Sequence, residues 1–128
     1  MEVESRPHLG QLNLDAQGAF KRVLFVCSGG MLRSATAAQW AAQALGWNTR
    51  NCGTMDCALP PAHRNLIEWA EVIYCMEDRH LQNLLYRFPW AKEKFVALGI
   101  PDVFEYRSPN LIRHLERCFQ SSAEADHE

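Results

Sequence analysis

Excess positive charge is missing from this chain, and so are long apolar runs, paired-cysteine spacings and internal repeats. Lysine and arginine number 13 against 15 acidic residues, giving a formal net charge of −2. That balance excludes a general electrostatic grip on nucleic acid or an anionic membrane, so any attraction for anions has to be local. No apolar segment approaches the roughly 20 residues of a membrane span. Residues 1–22 lack the basic start and apolar middle of a secretory signal. A cytoplasmic protein without nucleic-acid or membrane partners is expected. The five cysteines, Cys27, Cys52, Cys57, Cys75 and Cys118, are odd in number and include no C-x2-C pair. A disulfide framework does not fit that pattern, and zinc at Cys52, Cys57 and His63 is not expected either. Reduced thiols, no metal and no other cofactor are the expectation.

What is present suits one globular domain: 128 residues, 48% of them apolar and 22% charged. Pro7, Gly10 and Gly18 break any helical pattern near the start. Residues 1–21 are therefore expected to be a polar N-terminal extension, 22–120 the domain, and 121–128 a polar C-terminal tail. Within the domain, strand-like runs at Val23–Val26, Trp47–Cys52, Val72–Met76 and Lys94–Leu98 alternate with helical patterns. The helices are expected from Ser34 to Leu45, from the Pro60-Pro61 pair to Trp69 and Ala70, and along the face Leu81, Leu84, Leu85 and Phe88. A last one carries Leu111, Ile112, Leu115, Cys118 and Phe119. Such alternation predicts an α/β fold, a parallel sheet covered by helices on both faces. Ligands of such sheets bind at the carboxyl ends of the strands, near the switch point.

The segment V-L-F-V-C-S-G-G-M-L-R-S, Val23 to Ser34, lies at such an edge. Gly29 and Gly30 allow a sharp turn between strand and helix. The main-chain amides of Ser28, Gly29, Gly30, Met31 and Leu32 can then converge on an oxyanion, with the helix N-terminus adding positive charge. Arg33 offers a planar fork of donors to two phosphoryl oxygens. Cys27 would lie beneath the phosphorus as a nucleophile, favoured as an anion by the same cation and dipole, and Ser34 would donate to its sulfur. A bare Cys-x5-Arg spacing is weak alone. The apolar run before it, the glycines within it and the Ala-rich stretch after it give it weight.

Hydrolysis of a phosphoester also needs an acid for the leaving oxygen. Gly99 to Tyr106 follows the fourth strand and supplies Asp102 as first candidate, with Glu105 in reserve. Pro101 would stiffen the approach, while Phe104 and Tyr106 would wall a pocket for a flat substrate. His63, His80 and His114 read as solvated histidines, and Arg64, Arg79, Arg107 and Arg113 as surface charges. The tryptophans read as packing residues.

Together these segments resemble the low-molecular-weight protein tyrosine phosphatases, from about Arg22 to Phe119. The resemblance rests on the cysteine loop, C-G-T at Cys52–Thr54, W-A-E-V-I-Y-C-M-E at Trp69–Glu77 and I-P-D-V-F-E-Y at Ile100–Tyr106, and is nearest a short bacterial or phage-type branch. It implies a four-stranded parallel sheet of the phosphotyrosine protein phosphatase I-like type and a metal-free phosphatase. Cys27 would be its nucleophile, Arg33 its phosphate-binding arginine, Ser34 the partner of the sulfur, and Asp102 the general acid and later base. The implied substrate is a phosphorylated protein or a small phosphomonoester. Several positions depart from the family pattern. Gly30 replaces an asparagine that braces the loop, so a less rigid cradle is expected. Leu32 replaces a second loop cysteine able to protect the nucleophile by a disulfide. Ala35 and Ala38 stand where Pro and Glu are usual, Val103 follows Asp102 in place of Pro, and the Gly53-Thr54 loop lacks the aromatic wall of larger members. Three other chemistries share parts of this pattern: a cysteine phosphocarrier resembling a sugar-transport IIB component, a thioredoxin-linked arsenate reductase, and an anion-binding module without turnover. Arg33 and the Asp102 segment favour hydrolysis over relay, and Cys75 has no nearby partner for the reductase.

Overall fold

The computed structural model describes residues 21–127, with side chains described through 119. The extension expected at the N-terminus therefore lies outside the described residues, apart from its last one. Four parallel strands, β1 (Arg22–Cys27), β2 (Asn48–Gly53), β3 (Val72–Cys75) and β4 (Phe95–Ala97), form one sheet in the order β2-β1-β3-β4. Between and after them run α1 (Arg33–Leu45), α2 (Arg64–Trp69), α3 (Asp78–Arg87) and α4 (Pro109–His127), with a 3₁₀ segment over Pro89–Lys94. None of the described helices is long and apolar enough to cross a membrane.

The centre of the sheet explains the apolar run in β1. With neighbours on both edges and helices on both faces, β1 has no polar side, and Val23, Leu24, Phe25 and Val26 are fully buried. Alternate residues still serve different cores. Leu24 and Val26 pack with Ile73 and Cys75 under Leu66 and Ile67 of α2 and Leu84 of α3. Val23, Phe25 and Cys27 face Ala37, Ala38 and Ala41 of α1 and Leu111, Leu115 and Phe119 of α4. The small alanines let α1 lie close to the strand that carries Cys27.

Most of the expected elements are present, the strands with boundaries moved by a residue or two, while α2 begins only at Arg64, after the Pro60-Pro61 pair, and α3 already at Asp78. The clearest difference is at the C-terminus, where α4 runs on to His127 through the residues expected to form a polar tail. The run S-S-A-E-A-D-H lacks apolar periodicity, yet a helix already nucleated by the docked face of Leu111, Leu115 and Phe119 extends cheaply. The 3₁₀ segment also had no periodic signal, being short and opened by Pro89.

β2 and β3 flank β1 on opposite sides, so the switch point lies between β1 and β3 at their carboxyl ends. Hydrogen bonds gather the outgoing segments there. Met76 N–H donates to Val26 O at 2.8 Å, Leu98 N–H to Cys75 O at 2.8 Å, and Ile100 N–H to Met76 O at 2.7 Å.

Phe119 fastens α4 to the sheet through Tyr74, Trp47, Trp40 and Phe25, with ring centroids 4.8, 5.3, 5.9 and 6.2 Å away. Phe119→Ala is expected to cost about 3–5 kcal/mol in urea unfolding. A loss below about 1 kcal/mol, the range of surface changes, would mean that this ring does not dock the helix.

Candidate active site

The turn from β1 into α1 is held from outside by its carbonyls. Cys27 O accepts from Thr54 N–H at 2.9 Å, Ser28 O from Met55 N–H at 3.0 Å, and Gly29 O from Leu59 N–H at 3.0 Å. Gly30 O accepts from the Asn51 side-chain amide at 2.7 Å. In a trans peptide the next N–H points opposite to the carbonyl, so four carbonyls tied outward turn the amides of residues 28 to 31 inward. Gly30 N–H accordingly donates to Cys27 Sγ at 3.3 Å. The N–H groups of Ser28, Gly29, Met31 and Leu32 meet no acceptor among the described residues. Helix α1, which follows at once, has neither a side-chain cap nor an acidic residue in its first turn. An anion is what these donors suit.

Two glycines permit this loop. Gly30 has φ of +75°, and a Cβ there would lie 3.0 Å from Gly53 N and 3.1 Å from Leu59 O. Gly53 lies directly under the cradle, where a Cβ would stand 2.3 Å from Ser28 O and 2.7 Å from Gly29 C. Gly29 does not use the left-handed region. The bracing that the turn has comes from the main chain of residues 54–59 and from Asn51.

Cys27 Sγ lies 3.0 Å from Ser34 Oγ, which is also 3.3 Å from Cys52 O. One hydroxyl proton serves two acceptors. With a thiol at Cys27 the S–H donates to Ser34 and Ser34 donates to Cys52 O; with an anionic sulfur the hydroxyl turns to Cys27. Burial pushes the Cys52 thiol up to about 12, with the nearby Cys27 adding to the effect. Burial likewise raises Cys75 to about 12, with Cys52 contributing. Neither is an alternative nucleophile at neutral pH.

Arg33 is only 2% exposed. Its Nη1 donates to Glu77 Oε2 at 2.5 Å and to Ile100 O at 2.8 Å, and its Nε lies 3.7 Å from Asp102 Oδ1. Arg79 binds the other Glu77 oxygen at 2.8 Å and approaches Asp102 Oδ2 at 4.0 Å. The hydrogen bond from Arg79, opposed by burial and reinforced by Arg33, holds the Glu77 carboxyl down at about 2. Asp102 is exposed and, with its carboxylate beside the Arg33 guanidinium, shares a pocket of about 260 Å³ with Cys27, Ser28, Gly29, Met31, Leu32 and Arg33.

Cys27, Ser28, Gly29, Gly30, Met31, Leu32, Arg33, Ser34 and Asp102 are therefore together. Phe104 and Tyr106 are not, which corrects the pocket expected for them. Phe104 packs on His114 of α4, centroids 5.2 Å apart, and Tyr106 hydroxyl bonds the Gln39 side chain of α1 at 2.6 Å. Arg107, at φ of +61°, donates its N–H to Thr36 Oγ1 at 2.7 Å. The segment is drawn away along α1 after Asp102. Exposed Met31 and Leu32 form the apolar wall in their place.

Sequence reasoning assigned Glu77 no role and read His80 as a solvated histidine, which its burial corrects. His80 is buried, with Nδ1 accepting from Glu77 N–H at 3.0 Å and Nε2 at 3.0 Å from Ser28 Oγ. Burial first, then the charges of Arg33 and Arg79, lower its pKa to about 4. A Glu-x-x-His spacing directly after the strand beside the switch point was the available signal. Arg79 likewise belongs to the ion-pair network rather than to a merely solvated surface.

A parallel α/β sheet with an oxyanion cradle after its first strand defines the class. No protein-family profile and no curated protein sequence matches the chain. Solved structures do. The YwlE arginine phosphatase from Geobacillus stearothermophilus aligns at 21% identity over 84% of this chain and 97% of its own, TM-score 0.64. The tyrosine phosphatase amsI of Erwinia amylovora aligns at 17% over 83% and 93%, TM-score 0.70. Wzb of Vibrio vulnificus, in complex with benzylphosphonate, aligns at 19% over 83% and 99%, TM-score 0.67. The chain has the low-molecular-weight protein tyrosine phosphatase fold.

Gly53→Ala is expected to displace the cradle, costing about 1–3 kcal/mol of stability from overpacking and most of the phosphate binding, measured by urea unfolding and calorimetry. Retained binding would show that the cradle does not need this close approach. Glu77 and His80 both bind protons more readily unfolded than folded, which sets a pH dependence. Stability should fall as pH drops from 6.5 towards 4 through His80, and from 4.5 towards 2 through Glu77. Thermal melts of wild type and His80→Gln check this, since only the upper part should vanish in the variant.

Proposed function

We propose that the protein is a phosphomonoesterase acting through a phosphocysteine at Cys27, on a phosphorylated protein or a small aryl phosphate in the cytoplasm. The observation that carries the reading is the set of inward-turned amides around Cys27 Sγ, with buried Arg33 and, 3.7 Å from its Nε, Asp102 in the same pocket. The likeness to solved phosphatases supports it through the fold.

In this mechanism the phosphoryl group lies on the loop amides and the free donors of Arg33. Cys27 sulfur attacks phosphorus, the bond to the leaving oxygen breaks, and protonated Asp102 gives that oxygen its proton. A water molecule then attacks the phosphorus and returns a proton to Asp102. The S–P bond breaks with its electrons going to sulfur, where Ser34 and Gly30 N–H receive the charge. Arg33 is held for this task by Glu77 and Ile100 O, which occupy Nη1 and leave the rest of the fork for phosphate. Met31 and Leu32 would contact the organic part of the substrate, favouring a flat or apolar group over a charged one.

Cys27→Ser should keep phosphate binding and lose turnover of an aryl phosphate, and Arg33→Ala should lose both. Equal turnover by wild type and Cys27→Ser would sink the mechanism. For Asp102→Asn the expected loss is about 10²- to 10⁴-fold with poor leaving groups and smaller with good ones. A loss independent of leaving-group pKa would remove Asp102 as the acid. Wild type that binds phosphate but turns over no aryl phosphate would instead make the protein an anion-binding module.

A further inference from the structure

The hydrogen bonds of His80 have a fixed direction. A main-chain amide can only donate, so the Glu77 N–H at 3.0 Å obliges Nδ1 to carry its lone pair. The proton of the neutral ring then stands on Nε2. From there it can only be donated to Ser28 Oγ, 3.0 Å away. Ser28, having accepted at that position, keeps its own proton to give elsewhere. Among the described residues its hydroxyl has no other partner.

This polarity also excludes one chemistry. A histidine whose Nε2 holds a proton cannot take another from the hydroxyl, so Ser28 and His80 are not a nucleophile and its base. The ring stays neutral at working pH because burial, with Arg33 and Arg79 nearby, holds it down near 4.

Ser28 hangs on a fixed support. Its carbonyl is tied to Met55 N–H at 3.0 Å, and the residue lines the pocket beside Cys27, Arg33 and Asp102. We propose that Ser28 is a side-chain donor to the bound phosphoryl anion, and that His80 is a positioning residue that commits the Ser28 hydroxyl to that role. The proposal rests on the reading of the cradle as a phosphoryl site and adds to it a neutral donor beyond the loop amides and Arg33. The approach of Glu77 to both Arg33 and His80 places the two donors under one carboxylate-bearing residue.

Titration with inorganic phosphate, by calorimetry and by competitive inhibition of aryl phosphate turnover, tests this. Ser28→Ala should weaken phosphate binding about tenfold or more, as expected for a hydrogen bond to a charged group. Ser28→Thr, which keeps the hydroxyl, should bind like wild type. His80→Leu should weaken binding like Ser28→Ala, and His80→Gln, which places an amide N–H near the position of Nε2, should recover most of it. In the double variant Ser28→Ala/His80→Leu, binding should be no weaker than in Ser28→Ala. Phosphate bound equally by Ser28→Ala and wild type would overturn the assignment while leaving the phosphoryl site standing. A His80→Leu loss that adds in full to that of Ser28→Ala would overturn the positioning role. A wild-type protein that binds no phosphate would overturn the phosphoryl site and this proposal together. If His80→Leu does not fold, the Ser28→Ala and Ser28→Thr pair decides the donor, and His80→Ala, expected to bind as weakly as Ser28→Ala, decides the histidine, wild-type binding by it overturning the positioning role.

Discussion

Arg33 puts a permanent positive charge where water hardly reaches, and the rest of the site is arranged around that fact. An isolated buried guanidinium would cost several kcal/mol in lost hydration. Here Glu77 and the carbonyl of Ile100 answer one nitrogen, and Asp102 stands near another. Glu77 comes from the end of β3, Ile100 and Asp102 from the segment after β4, and Arg33 itself from the turn after β1. One cation therefore joins the outgoing ends of three strands, and the strand order β2-β1-β3-β4 is what brings those ends to one edge. The pairing also restricts the arginine's orientation. With Nη1 engaged on the protein side, the remaining edge of the guanidinium is the part available to a ligand.

The turn after β1 is held without a side chain at position 30, where the resemblance leads one to expect asparagine. A left-handed glycine stands there, and a Cβ in its place would press tightly on the main chain of Gly53 and Leu59. Bracing comes instead from neighbours: the amides of Thr54, Met55 and Leu59, and the side chain of Asn51. The main chain of the loop after β2 thus forms the outer wall of the turn that carries Cys27.

Much of this was legible in the sequence for reasons that are local. Val23 to Val26 could be read as a central strand because four consecutive apolar residues need burial on both faces. The Cys27, Gly30, Arg33 and Ser34 spacing could be read because the chemistry is carried by a single turn of chain. Asp102 was found by requiring an acid at another strand end. Phe104 and Tyr106 were misplaced for the converse reason: a residue's direction after a turn depends on what the segment ties to. Here the ties run to Thr36 and Gln39 of α1. His80 was missed because its burial follows from the packing of α3 against the cradle loop, a contact 52 residues apart in sequence. No windowed pattern reports that.

The hydrogen bonds that hold the cradle from outside are made almost wholly by main-chain atoms of residues 54–59, while Met55 and Leu59 leave their side chains exposed beside it. The turn is thereby supported by main-chain atoms, which do not depend on side-chain identity. Substitutions at Met55 and Leu59, other than to proline, can change the size and polarity of that surface while the amides that hold the carbonyls of Ser28 and Gly29 stay in place.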